Sequence, residues 1–168
     1  MKKVIVIGSP GAGKSTFSRK LHQKTELTLY HLDMIWHRPD KTHISREEFD
    51  ARLEEILRTD SWIIDGNYGR TMERRMVSCD TVFLLDYPLE ACLAGAEGRV
   101  GNKREDMPWM EEKLDEEFRQ FILNFPTKEL PQIYRLLERY GDGRQVIILH
   151  SRQEAEDFLT RRIDGRIG

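Results

Sequence analysis

The run Val4-Ile5-Val6-Ile7 passes directly into Gly8-Ser9-Pro10-Gly11-Ala12-Gly13-Lys14-Ser15, and this junction restricts the fold more than any other segment of the chain. An unbroken stretch of β-branched residues reads as a strand buried on both faces of a parallel sheet. The glycines that follow admit positive φ angles and leave no Cβ between the main chain and whatever approaches it. From Lys14 to about Gln23 the sequence reads as a helix, with Phe17 and Leu21 four residues apart on its inner face. The segment fits G-x-x-x-x-G-K-[ST], in the strand-turn-helix context that gives this motif its meaning. Such a turn aims successive amides at one point, in front of the positive end of a helix, which suits the phosphates of a nucleoside triphosphate. Lys14 adds a full positive charge, and Ser15 offers a hydroxyl to Mg²⁺. Gly8, Ser9, Pro10, Gly11, Ala12, Gly13, Lys14, Ser15 and Thr16 are therefore the nucleotide-binding candidates.

Strands and helices alternate over the rest of the chain. Thr28 to Leu32 reads as a second strand ending at Asp33. Ser45 and Glu48 form a capping box ahead of a helix whose stripe is Phe49, Leu53, Ile56 and Leu57 and which ends near Asp60. Trp62 to Ile64 and Thr81 to Leu85 are further buried strands, and Pro88 suits the first turn of the next helix. Apolar spacing lapses between Gly95 and Pro108. It returns in Leu114, Phe118, Phe121, Ile122 and Phe125, then in Ile133, Leu136, Leu137 and Tyr140, with Gly141 as a stop. Val146 to Leu149 is a fifth strand, and Ser151 with Glu154 caps a last helix carrying Phe158 and Leu159. This alternation predicts one three-layer α/β domain over residues 1–168 with a parallel sheet.

The formal net charge of -2 argues against a broad basic face for nucleic acid or an anionic membrane. No stretch approaches the roughly 20 apolar residues of a membrane span. Cys79 and Cys92 lack metal-ligand spacing and fit reduced thiols in a cytoplasmic protein. The five histidines show no metal-binding spacing either.

In open α/β sheets, ligands lie beyond the carboxyl ends of the strands, and Asp33, Asp65 and Asp86 each follow a predicted strand. Asp65 is a candidate for a Mg²⁺-bound water or for orienting the phosphates. Asp33 is a candidate general base toward an acceptor hydroxyl, or a hydrogen-bond partner of substrate. Asp86, before Tyr87-Pro88, reads as a helix cap. Arg99, Lys103 and Arg104 lie in the stretch without apolar spacing, where a closing loop would bring cations to a transferring phosphoryl group and exclude water. Trp36, His37 and Tyr68 stand just past strand ends and are candidates to line a substrate pocket. Asn102-Lys103-Arg104-Glu105 ends in Glu and follows no apolar strand, so it is not read as a guanine-recognition motif.

With these residues in view, the chain resembles the small P-loop kinases of the adenylate-kinase-like class, which includes shikimate and gluconate kinases. Within the class it resembles the bacterial topology modulation proteins, through Leu32-Asp33 with Trp36, Trp62-Ile63-Ile64-Asp65-Gly66-Asn67-Tyr68 and Phe83-Leu84-Leu85-Asp86. The resemblance implies a P-loop NTPase fold with a five-stranded parallel sheet of order 2-3-1-4-5, an ATP site and a short lid over about residues 98–108. It implies that Asp65 supports Mg²⁺, that Arg70 meets the acceptor, that Arg99 lies against adenine and that Arg104, with Arg119 as a further candidate, reaches the phosphates. No Phe-Pro-Arg follows Asp65-Gly66, and the lid has no zinc cysteines.

The sequence thus points to ATP- and Mg²⁺-dependent phosphoryl transfer to a small molecule, nucleotides among the acceptors. Lys14, Asp33, Arg99 and Arg104 form the catalytic set, Ser15 and Asp65 the metal set. Asp33, Trp36, Tyr68 and Arg70 form the acceptor set. A nucleotide-binding regulator without phosphoryl transfer is the alternative, with a GTPase behind it. Neither nucleic acid nor membrane is an expected partner.

Overall fold

The computed structural model describes residues 1–102, 105–110 and 112–161. Five parallel strands alternate with helices: β1 (Lys3–Gly8), β2 (Leu29–His31), β3 (Trp62–Asp65), β4 (Thr81–Leu85) and β5 (Gln145–Leu149). They lie in the order β2-β3-β1-β4-β5, the order that the resemblance implied. β1 is central, with Val4 opposite Ile63 on one side and opposite Thr81 on the other. That position explains its composition, since both faces of a central parallel strand are covered by helices.

The pleat of β1 divides its side chains between two cores. Ile5 and Ile7 face the cluster built on Phe49 and Leu53 of α3 (Arg46–Leu57), Met72 and Met76 of α4 (Gly69–Ser78), Phe125 of α6 (Glu116–Lys128) and Ile133 and Leu137 of α7 (Leu130–Tyr140). Val4 and Val6 face Phe17 and Leu21 of α1 (Lys14–Thr25), Cys92 and Ala96 of α5 (Leu89–Gly98) and Ala155 and Leu159 of α8 (Arg152–Arg161). A period of two in the strand thus meets helix stripes on both sides.

Each predicted capping box forms by half, since the returning carboxylates bond elsewhere: Glu48 accepts from Arg52 at 2.9 Å and Glu154 from the His150 amide at 2.7 Å. The Ser45 hydroxyl accepts from the Glu48 amide at 3.1 Å, and Ser151 from that of Glu154 at 3.1 Å. Other expectations need correction. The second strand stops at His31, and Leu32–Trp36 turns into a one-turn helix, α2, so Asp33 lies in a helical first turn rather than at a strand end. The helix after Pro88 continues through Gly95 to Gly98. Asp86 does not cap it: Pro88 is its N-cap residue, without a side-chain bond, and the Asp86 carboxylate instead accepts from the Tyr134 hydroxyl at 2.6 Å. Phe121, on the predicted apolar stripe, is 40% exposed.

Candidate active site

The carboxyl ends of β1, β2 and β3 converge on the glycine-rich loop of residues 8–15. Gly8 ends β1 with φ 139°, and a Cβ there would stand 2.2 Å from the Leu85 carbonyl oxygen. Gly11 and Gly13 have φ 81° and 85°. Gly13, in the left-handed region, is the N-cap residue of α1 and no side chain caps that helix, so its first amides face the loop. The Lys14 ammonium reaches back across the loop to the Ser9 carbonyl at 3.2 Å. Burial pushes the Lys14 pKa below its usual value, and Arg99 adds to this, while Asp65 and Asp33 oppose it. A bound polyphosphate would add to the opposing side.

Two cavities open on this loop. One, of about 540 Å³, lies between α1, α5 and α8 and is lined by Gly11, Ala12, Gly13, Thr16, Arg99 and Arg152 among others. The other, of about 280 Å³, lies on the far side of the loop. It gathers Pro10, Lys14, Ser15, Asp33, Asp65, Tyr68 and Arg99, so most of the predicted site residues meet in one place. Gly11, Gly13 and Arg99 line both.

Asp65 is the last residue of β3 and is buried. Its Oδ2 lies 2.7 Å from Nδ1 of His31, the last residue of β2. Asp33 accepts from the Tyr68 hydroxyl at 2.5 Å and lies 3.9 Å from Nε2 of His37. Desolvation raises the Asp33 pKa above the ordinary carboxylate value, the Asp65 charge raises it further, and the Tyr68 bond opposes both. The side chain keeps 40% exposure, so solvent screens part of this rise. Tyr68 answers in kind: desolvation and the Asp33 charge hold its phenol protonated well above the usual tyrosine range.

Two predicted residues lie elsewhere. Trp36 and Arg70 line a neighbouring cavity of about 240 Å³, which shares Tyr68 with the 280 Å³ cavity. Trp36 stacks on His43 with ring centroids 4.3 Å apart, and both guanidinium nitrogens of Arg70 hold the two carboxylate oxygens of Asp50, at 3.0 and 2.7 Å. Arg119 lines neither cavity at the loop, and Arg104 lies outside the described residues.

Several residues escaped the sequence reading. Asn67 closes a two-point bond with Gly8, accepting from its amide at 3.0 Å and donating to its carbonyl at 2.8 Å. Asp106, Phe118 and Phe121 line the 280 Å³ cavity, and His31 supports Asp65. Phe118 and Phe121 were visible as apolar spacing, but only their exposure separates cavity wall from core. A bond between a side chain and a main chain 59 residues apart leaves no local trace in sequence.

The donors that line the smaller cavity suit Mg²⁺. Ser15 and Asp65 are hard oxygen ligands of the kind that hold this ion through one or two contacts and several waters. Among the described residues no group of three or more His, Cys, Asp or Glu side chains is placed to hold a metal by itself. No described helix is long and apolar enough to cross a membrane.

No protein-family model matches the chain, and no curated protein sequence does. Among solved structures, the chain is similar to shikimate kinase from Bacteroides thetaiotaomicron, with a TM-score of 0.58 and 16% identity over 96% of each chain. The architecture is thus the α/β fold of the shikimate-kinase-like P-loop NTPases, with a five-stranded parallel sheet and eight helices among the described residues.

Proposed function

We propose that this chain is an ATP- and Mg²⁺-dependent kinase that phosphorylates a hydroxyl of a compact small molecule. The observation that carries this reading is the pair of cavities joined at one phosphate loop, with an Asp33 carboxylate on the side away from the larger cavity. The larger volume suits a nucleoside, in the range of ordinary ligand pockets. The smaller suits a compact acceptor, or one end of a longer one that passes Tyr68 toward Trp36 and Arg70. A nucleotide is one such acceptor. The resemblance to topology modulation proteins is carried by the motifs quoted above, and the free Cys79 and Cys92 thiols accord with a cytoplasmic setting.

Phosphoryl transfer asks a protein mainly for position and charge. The amides of the loop and of the first turn of α1 would grip the β and γ phosphates, with Lys14 neutralising charge as it moves to the leaving oxygen. Arg99, at the C-cap of α5 and on the wall of both cavities, would meet the phosphoryl from the opposite side. Ser15 and Asp65 would hold Mg²⁺, directly or through water. The ion supplies Lewis-acid stabilisation of phosphate charge when bound. Asp33 would take the hydroxyl proton at a carboxylate oxygen while Tyr68 fixes its orientation.

The test is ADP release from ATP and Mg²⁺ against a panel of sugars, amino alcohols, nucleosides and nucleotides. At least one acceptor is expected to raise ADP formation above the water background, and Lys14→Ala to abolish it. Nucleotide binding with no transfer to any acceptor would instead support the regulatory reading, and no nucleotide binding would remove both.

A further inference from the structure

Helix α4 turns a buried face made of Thr71, Met72, Arg75 and Met76 toward the sheet. Three of these suit a core, but Arg75 is a guanidinium with 0% exposure. Burial of a cation costs several kcal/mol unless its donors are fully used. Among the described residues no carboxylate is hydrogen-bonded to it. Its NH1 donates to the Gly66 carbonyl at 2.8 Å, its NH2 to the carbonyls of Asn67 and, at 3.3 Å, of Tyr68, and its Nε to the Thr71 hydroxyl at 3.3 Å. Desolvation holds its pKa down to about 10, with Asp65 as the largest opposing charge. A methionine would avoid desolvating a cation, as Met72 and Met76 do beside it, but it would leave these carbonyls without the donors that Arg75 gives them.

The three carbonyls belong to consecutive residues with separate duties. Asn67 pairs with both main-chain groups of Gly8, at the mouth of the phosphate loop. Tyr68 holds Asp33. Tyr68 does so with φ 38° and ψ 69°, a left-handed conformation that is unfavourable for a bulky residue and persists only where surroundings impose it. The Arg75 fork and the Thr71 amide, at 2.9 Å, both grip the Tyr68 carbonyl.

We propose that Arg75 is a positioning residue that sets two halves of the site at once: the phosphate loop through Asn67, and the Asp33 carboxylate through Tyr68. It touches neither nucleotide nor acceptor. This goes beyond the kinase reading, and its consequences are measurable without a known acceptor.

The experiment compares Arg75→Met, Arg75→Lys, Asn67→Ala and Tyr68→Phe by MgATP titration and by ¹⁹F NMR of 3-fluorotyrosine protein. Absence of one resonance in Tyr68→Phe assigns the Tyr68 signal. Asn67→Ala should weaken MgATP about tenfold and leave the Tyr68 resonance in place, while Tyr68→Phe serves only to assign that resonance. Arg75→Met should do both: weaken MgATP about tenfold or more and move the Tyr68 resonance toward that of a solvent-exposed tyrosine. Arg75→Lys keeps the charge but lacks the planar fork, so both readouts should fall between wild type and Arg75→Met. Should Arg75→Met fail to fold, Arg75→Lys decides alone. A lowered melting temperature with MgATP affinity within twofold of wild type and an unmoved Tyr68 signal, in whichever variant folds, overturns the proposal. If the wild type binds no nucleotide, the kinase reading fails, while the Tyr68 resonance still reports on Arg75.

Discussion

Replacing Gly95 with alanine should damage the phosphate loop from behind. Helix α5 lies against that loop with no side chain between them. A Cβ on Gly95 would stand 2.1 Å from the Gly11 carbonyl oxygen and 2.7 Å from a guanidinium nitrogen of Arg152. The arginine can swing away, but the carbonyl is main chain. Carbon and carbonyl oxygen rest at about 3.3 Å at closest, so loop and helix must separate by roughly 1 Å. Two effects compete for stability. Alanine in a helix interior gains about 1 kcal/mol over glycine, while overpacking costs typically 1–3 kcal/mol. The net is a loss of about 0–2 kcal/mol, or at most about 8 °C in melting temperature for a domain of this size. Binding should suffer more than stability, because a shift of about 1 Å in a positioning element costs on the order of a hundredfold in rate. MgATP affinity by calorimetric titration should fall about tenfold or more, with turnover falling further. Gly98→Ala, on the same helix, meets no atom within 4 Å and should melt at or above the wild-type temperature. Wild-type MgATP affinity in Gly95→Ala, with a melting temperature no lower than that of Gly98→Ala, would refute the argument from close approach.

Asp33→Asn separates function from stability. The folded-state pKa of Asp33 is raised, so its contribution to stability is fully present below the unfolded value near pH 4 and is lost as pH rises through the folded value. At pH 7 the substitution should therefore leave the melting temperature unchanged or slightly higher, while phosphoryl transfer drops about a hundredfold or more; a clear fall in melting temperature contradicts the sign. Transfer by the wild type should fade on acidification at a pH above the usual carboxylate range, because the base must be ionised. Tyr68→Phe removes the bond that lowers this pKa and should move the acid limb of the pH–rate profile to higher pH; a limb that stays or moves lower excludes Asp33 as the base. Arg70→Ala should leave the denaturant unfolding curve close to that of the wild type, since its pair with Asp50 is 45% and 46% exposed and screened by solvent. An acceptor that reaches the Trp36 cavity would show a severalfold higher KM in this variant with kcat held.

The glycine-rich loop was legible because it is written in contiguous residues whose backbone demands are plain, and Gly8, Gly11 and Gly13 do take positive φ. The strands were legible for a similar reason: Val4-Ile5-Val6-Ile7 and Thr81 to Leu85 are buried along their whole length. Helix α4 was not, because Gly69 to Ser78 presents Arg75 on the face where an apolar residue is expected, so the stripe that marks a helix is interrupted by the residue that matters most there. Helix α2 hid for a different reason: five residues are too few to establish a period, and the β-like Leu29-Tyr30-His31 runs into it without a break. The support of Asp65 by His31, and of Gly8 by Asn67, depends on which strands are neighbours, and that information lies in the sheet rather than in any segment.

One guanidinium, that of Arg99, forms part of the partition between the two chambers. A wall common to two ligands makes each a sensor of the other, since whatever the first occupant does to the wall alters the space offered to the second. In the proposed kinase, thermodynamics then demands symmetry: the factor by which an acceptor would tighten or loosen ATP must equal the factor by which ATP would change the acceptor. Filling either chamber first leads to the same doubly loaded state, so any preferred order of entry belongs to kinetics alone.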